Sequence, residues 1–358
     1  MTEKTLRNVK IIGLVISLIL MIWAGMMFYQ HRYFSEPVVA SPALTDVKKL
    51  SDYFPPLAGT TNDCNLYIFD SGNPGGTLFL IGGTHPEEPG ANLAAEIFVE
   101  NVQMDQGRLI VAIRANRSAS TVSRPGDAYP QFYTIETSWG EKKFRMGDRW
   151  SNPLDSWPDP EVYVHYPSRQ MLAYMDIRNL NRTWPGRPQG ALTEQTCHAM
   201  MEFIRQEEVD IFIDLHEAEL EYPVISTIVA HQNAQEIAAF ASMTLTATEF
   251  ERPIGMEFSP PSLHGLSHRE VGDHSQALSL LVETPEPFLD RVRGITDEDL
   301  LLKGQDPFVM EAGKYGLLYE KIDERGWPID VRVGRHCSTI LEIAKSYSDL
   351  YPDKPIFL

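Results

Sequence analysis

The period of apolar and polar positions changes several times along the chain, and each change marks an element. Ile11 to Tyr29 is a run of nineteen residues without a charge, long enough to cross the hydrocarbon core of a bilayer as one helix. After residue 65, strand-like and helix-like segments alternate, which is the pattern of an α/β sheet covered by helices. The apolar runs Thr77–Ile81, Arg108–Arg114, Asp210–Leu215, Val224–Ala230 and Ala277–Val282 predict strands. Ala91–Val102 predicts a helix with Leu93, Ile97 and Val102 near one face. Thr193 is placed to cap a second helix, whose Cys197, Met200, Met201 and Ile204 keep the i, i+3, i+4, i+7 spacing. A further helix is expected over Ala234–Ala247, and the Thr339-x-x-Glu342 capping box predicts a last one running to about Leu350. Ala115–Ser168, rich in Trp, Pro, Gly and Asp, follows no period, and a stretch that long within a compact domain is expected to shape a binding site. Together these elements predict an α/β fold: an open, mostly parallel or mixed twisted sheet with helices on both faces, preceded by one transmembrane helix.

Charge refines the layout. Lys4, Arg7 and Lys10 precede the apolar run and only Arg32 follows closely, so the positive-inside bias puts residues 1–10 in the cytoplasm and the chain beyond the membrane on the periplasmic or extracellular side. A cleaved signal peptide is the alternative, although its apolar region is ordinarily about 7–15 residues long. The anchor spans residues 11–29. Residues 30–47, Pro- and small-residue-rich from Glu36 to Ala43, suit a linker, and 48–358 form one folded domain. The formal net charge is −18; residues 1–10 carry +2, leaving −20 on the remainder with no cluster of Lys and Arg, which argues against nucleic acid as a partner. Cys64, Cys197 and Cys337 lie too far apart for a Cys-rich zinc finger, and are read as buried thiols or at most one disulfide.

The candidate chemistry lies in His85, Glu88 and His216, which supply two imidazoles and a carboxylate, the ligand set of a catalytic Zn2+ with one position left open. His85, His216 and Glu283 each stand at or just beyond the C-terminal end of a predicted strand, where open α/β sheets bind their ligands. Gly82-Gly83 and Pro86 interrupt regular structure, so His85 and Glu88 share a short irregular turn, with Glu87 expected to face solvent. Asp214, two residues before His216, lies on the same strand face and either orients the imidazole or serves as a buried hydrogen-bonding group. Glu217 and Glu219 have no assignment. His264, His268 and His274 either line the pocket mouth or belong to a flexible loop, and His165, His198, His231 and His336 have no assigned role.

His85-x-x-Glu88, Asp-Leu-His216, an Asn181-Arg182 pair between them and Glu283 after a late strand together resemble the zinc carboxypeptidase superfamily, over roughly Leu78 to Pro287. The Gly-Gly-Thr-His85 opening is similar to the succinylglutamate desuccinylase/aspartoacylase branch, whereas the long gap from Glu88 to His216 is more similar to the peptidases. The resemblance implies a zinc carboxypeptidase-like fold, Zn2+ on His85, Glu88 and His216, Glu283 as general base, and Asn181-Arg182 holding a substrate carboxylate. It also implies an upstream Arg that polarises the scissile carbonyl. Arg169 and Arg178 compete for that role, with Arg178 a candidate for substrate binding as well. The expectation is a membrane-anchored zinc amide hydrolase, an N-acyl-amino-acid deacylase or a metallocarboxypeptidase, acting on a small molecule or short peptide with a free carboxylate. A cell-surface binding protein that retains the metal and an ester-cleaving enzyme are the alternatives.

Overall fold

The structure is a computed structural model that describes residues 2–122, 129–248, 253–289 and 295–358. The chain divides into two units, Met1–Glu36 and Pro37–Leu358. The first is built on α1 (Glu3–Tyr33), capped by the Thr2 side chain, which accepts the Thr5 N–H. Its apolar side chains, Leu14, Met21 and Trp23 among them, are exposed, and it is long and apolar enough to cross a membrane. It outruns the uncharged run at both ends, because residues 4–10 and 30–33 contain neither Gly nor Pro to stop it.

The second unit is organised by one sheet. Its strands are β1 (Asp46–Lys49), β2 (Asn65–Asp70), β3 (Thr77–Ile81) and β4 (Arg108–Ala112), then two hairpins, β5 (Phe132–Thr137) with β6 (Gly140–Arg145) and β7 (Tyr163–Val164) with β8 (Met171–Leu172). β9 (Ile211–Ala218), β10 (Thr227–Ala230), β11 (Gly255–Phe258) and β12 (Leu278–Pro285) complete the set. The large sheet has the order β1-β2-β4-β3-β9-β12-β10-β11. Its centre, β4-β3-β9-β12, is parallel, β10 and β11 are parallel, and the three other pairings are antiparallel, so the sheet is mixed. The helices are α2 (Pro89–Asn101), α3 (Pro153–Ser156), α4 (Leu192–Gln206), α5 (Gln235–Thr248), α6 (Ser267–His274), α7 (Glu298–Lys303), α8 (Pro307–Lys314) and α9 (Ile329–Leu350).

Helices cover both faces, so the central strands consist of apolar side chains on each side. Leu78 to Ile81 are all at 0% exposure, and each such side chain contributes about 1.5–3 kcal/mol of burial. On β9, Ile211, Ile213 and Leu215 pack with Phe98 of α2, Ile237 of α5 and Ile343 of α9, whereas Phe212 packs with Met200 and Phe203 of α4 and Val271 of α6. Strand alternation therefore sends Asp214 and His216 to the α4/α6 face and Glu217 to the α2/α9 face.

Several boundaries differ from the local signals. β9 runs on to Ala218 because its pairing with β12 continues to Pro285. β10 begins only at Thr227, after Ser226 with φ +48. The cap of α4 is Ala191, whose N–H donates to Glu194 at 2.9 Å; Thr193 lies inside the helix and donates to the Ile177 carbonyl. α9 starts ten residues before Thr339, whose hydroxyl donates to the Arg335 carbonyl one turn back instead of capping. Residues 37–47, expected in the linker, belong to the second unit and include the start of β1. The 115–168 stretch forms the β5/β6 hairpin, α3 and β7, with residues 123–128 outside the described residues. The three cysteines are free thiols, Cys64 and Cys197 buried and Cys337 half-buried.

Glu207, at the end of α4, ties that helix to the sheet edge. Its carboxylate accepts from Lys48 Nζ at 2.9 Å, from Arg108 Nη2 at 2.6 Å and from the Tyr53 hydroxyl. Burial pushes this carboxyl up, but the three hydrogen bonds outweigh it and hold the pKa down at about 2. A lowered folded-state pKa gives stability that is present above the ordinary value of 4.5 and is lost as pH falls through 2. Chemical denaturation of the full-length chain is expected to show Glu207→Gln less stable than wild type near neutral pH, with the gap closing below about pH 4.5. A gap independent of pH would reject the ion-pair role.

Candidate metal centre

The end of β3 is turned by Gly82 and Gly83. A Cβ on Gly82 would come within 2.8 Å of the Ala95 side chain, and Gly83 has φ +66, so glycine is required at both positions. That turn delivers His85 and Glu88 to the start of α2, where Glu88 is the N-cap residue and Pro89 occupies the first helical position. β9 is the parallel neighbour of β3, with Ile81 opposite Asp214, and carries His216 just beyond the end of that pairing. β12 lies on the other side of β9 with Glu283 opposite His216, so the two side chains share a face.

His85 Nδ1 is 2.7 Å from Glu88 Oε1, and His216 Nδ1 is 3.0 Å from Glu88 Oε2. The three side chains are buried and offer ligand atoms within 4.8 Å of one another, the one such group among the described residues. The opposite nitrogens are anchored: His85 Nε2 lies 2.9 Å from Asn179 Oδ1, and His216 Nε2 lies 3.1 Å from Asp214 Oδ2. Asp214 is held in turn by the hydroxyls of Thr84 at 2.8 Å and Ser267 at 2.6 Å. Imidazoles that direct one nitrogen at a common carboxylate and fix the other on an oxygen are arranged as metal ligands are, and two nitrogens with a carboxylate suit zinc.

The electrostatics follow from burial and proximity. Burial lowers the proton affinity of His85, against the pull of Glu88. At His216 burial acts in the same direction, but Asp214 and Glu88 outweigh it and raise the imidazole well above its ordinary value. Burial would raise Glu88, yet His85 and His216 hold it far below the usual carboxylate range. Glu283 retains some exposure, but its Oε2 is buried without a hydrogen bond. Burial raises its proton affinity well above the ordinary value, Glu88, Glu219 and Asp214 add to the rise, and His216 opposes it.

Of the expected substrate-binding residues, the structure brings Asn181 and Arg182 to this place. Asn181 Nδ2 is 3.5 Å from His216 Nε2, and its Oδ1 accepts the Ser267 N–H at 2.8 Å. Arg182 donates to the Asn181 carbonyl at 2.7 Å and forms no ion pair among the described residues; burial lowers its pKa, and Asp176, Arg149 and Glu283 are among the charges that act on it. Arg178 and Arg169 are not brought in. Arg178 is engaged by Asp159 at 3.0 Å and the Ser151 carbonyl at 3.1 Å, which fixes its own loop. Arg169 is exposed in the turn between β7 and β8 with φ +64, beside a cavity lined by Tyr163, His165 and Arg187 and by none of the three ligand candidates.

The cation beside the cluster is Arg149, which sequence reasoning missed. Its Nε lies 2.9 Å from Glu87 Oε1 and its Nη2 4.0 Å from Glu88 Oε1. Glu87 is accordingly fully buried rather than solvated, because the guanidinium compensates its charge. Asn179 was also missed, although its place two residues before Asn181 is a visible signal. His264 and His274 face Glu270 at 2.8 and 3.1 Å, and His268 faces Ser259 at 2.8 Å, so all three have local partners.

No family model matches the chain, and no curated protein matches it. Solved structures do. A metallo-carboxypeptidase from Burkholderia cenocepacia is 14% identical at a TM-score of 0.48, covering 86% of this chain and 66% of that one. A metallo-carboxypeptidase from Pseudomonas aeruginosa, in complex with (2-guanidinoethylmercapto)succinic acid, is 15% identical at 0.46, covering 87% and 66%. A succinylglutamate desuccinylase/aspartoacylase from Rhodobacter sphaeroides is 19% identical at 0.37, covering 62% and 51%. The chain thus spans about half to two thirds of the length of these proteins, which belong to the superfamily and branch that its motifs resemble.

For the full-length chain in detergent, reconstituted with zinc and desalted, elemental analysis is expected to find about one zinc per chain and almost none in Glu88→Gln. Asn179→Ala, which removes the anchor of His85 together with the acceptor of the Asn181 N–H, is expected to weaken zinc binding by about 10- to 100-fold. Equal zinc in wild type and Glu88→Gln would reject the centre.

Proposed function

We propose that this protein is a membrane-anchored, zinc-dependent hydrolase that cleaves an amide bond in a substrate carrying a free carboxylate, as an N-acyl-amino-acid deacylase or a metallocarboxypeptidase. The observation that carries this reading is the convergence of His85, Glu88 and His216 with Glu283 in register beside His216. Zinc held by these ligands would supply a Lewis acid that polarises the scissile carbonyl and acidifies water to a pKa of about 7. Glu283 removes a proton from the attacking water and returns it to the leaving amine nitrogen. Its raised proton affinity suits a base that must hold the proton between the two transfers.

Arg182, free of ion pairs among the described residues, presents the fork that a substrate carboxylate matches, and the Asn181 amide adds a donor. Arg149 takes the role expected of Arg169 or Arg178: a cation beside Glu88, placed to stabilise negative charge on the carbonyl oxygen. The exposed apolar side chains of α1 support an anchor, and Lys4, Arg7 and Lys10 before it support a periplasmic or extracellular catalytic unit.

The test is hydrolysis of a panel of N-acyl amino acids, short peptides and matching esters by the full-length chain in detergent. Activity is expected to disappear with a chelator and return with zinc. Glu283→Gln should keep the metal and lose about 100- to 10,000-fold in kcat, whereas Arg182→Lys should act mainly through KM. Equal residual hydrolysis by wild type and Glu283→Gln would favour a binding protein, and activity that survives complete metal removal would sink the proposal.

A further inference from the structure

On the face of β9 opposite His216 lies a second set of charges that the proposed reaction does not use. The side chains of Glu217, Arg332 and Glu286 are fully buried. Arg332, from the first turn of α9, donates from Nη1 to Glu217 Oε1 at 3.1 Å and from Nη2 to the Leu301 carbonyl at 2.7 Å, with its guanidinium over the Phe288 ring. Its distance to Glu286 Oε1 is 3.9 Å. The Thr284 hydroxyl lies 3.4 Å from Glu217 Oε1 and 3.0 Å from His336 Nε2.

Glu217 reaches the metal centre by two routes. Its backbone N–H donates to Glu88 Oε2 at 3.0 Å, and its carboxylate accepts the Gly90 N–H at 2.6 Å in the first turn of α2. Gly90 bears a separate mark of this contact, because an added Cβ would collide with the Glu217 carboxylate. Stability alone gives no reason for such a group. Burying a carboxylate and a guanidinium costs more than an anion at a helix start returns, and well-packed apolar residues do as well or better. Geometry does give a reason: a charged pair fixes the start of α2 in one position, and Glu88 stands at that start.

We infer that Glu217, clamped by Arg332 of α9, is a positioning residue that sets where the Glu88 carboxylate stands and thereby how tightly the His85–Glu88–His216 centre holds its metal. This rests on the metal-centre reading above. It links the last long helix of the chain to a ligand more than two hundred residues earlier.

The test uses the full-length chain in detergent as wild type, Gly90→Ala, Glu217→Ala and the double variant. The zinc dissociation constant is measured by competition with a chromophoric chelator, and the thermal transition is followed on metal-free protein. Gly90→Ala and Glu217→Ala are each expected to weaken zinc binding by about 10- to 100-fold. The double variant should bind no more weakly than Glu217→Ala, because the added methyl then has nothing to displace. Zinc affinity of Gly90→Ala within twofold of wild type, or single losses that multiply in the double variant, would overturn the inference. If Glu217→Ala shows no cooperative transition, the comparison of Gly90→Ala with wild type decides alone. A wild type that binds no zinc fails the metal centre itself, whereas a wild type and Gly90→Ala that bind it equally fail only the positioning role.

Discussion

A carboxylate removed from water must be surrounded by donors, and that demand at Glu88 organises the centre of this protein. One of its oxygens faces His85, and the other faces His216 and the Glu217 N–H. Removing any of these leaves part of a buried charge uncompensated, so the loop after β3, the start of α2 and the end of β9 hold one another in place. His85, Glu88 and His216 are also the groups that a divalent cation would draw together. The fold thus supplies much of the ordering that metal binding would require.

Parallel pairing turns this local demand into a site. β3, β9 and β12 end at the same edge of the sheet, and their register sets Asp214 beside Ile81 and Glu283 beside His216. Because β9 is buried on both faces, alternation divides its polar end residues between two environments. Asp214, which holds His216, meets Ser267 of α6, whose backbone also holds Asn181, so α6 supports, through Asp214, an imidazole and also the segment that carries Arg182. Glu217 meets α2 and α9 on the other side. Thr284, next to Glu283, touches both Glu217 and His336, which ties the strand that carries Glu283 to the same support.

The central strands and the three metal-ligand candidates were legible because strands buried on both faces stand out as unbroken apolar runs, and the reactive residues close those runs. The place of Glu283 on a strand beside that of His216 was legible for the same reason. Arg149 was not: which of several arginines reaches the cluster depends on the path of residues 115–168, a stretch with no period to constrain it. Arg169 and Arg178 follow that stretch, Arg169 at a positive φ in the turn between β7 and β8 and Arg178 against Asp159. Thr339 shows a different limit, since a capping box acts only where the preceding backbone is not helical, and residues 329–338 already are.

The sequence by itself determined the apolar N-terminal helix, the alternation of strands and helices, and the residue types from which a zinc centre can be made, because each of these is set by neighbours within a few positions. Tertiary structure decided which polar side chains share a buried volume: Arg149 with Glu87, Asn179 with His85, and Arg332 with Glu217. Those pairs join residues from 62 to 115 positions apart, and the free energy that matches them is desolvation in a common core, a quantity that no local pattern encodes.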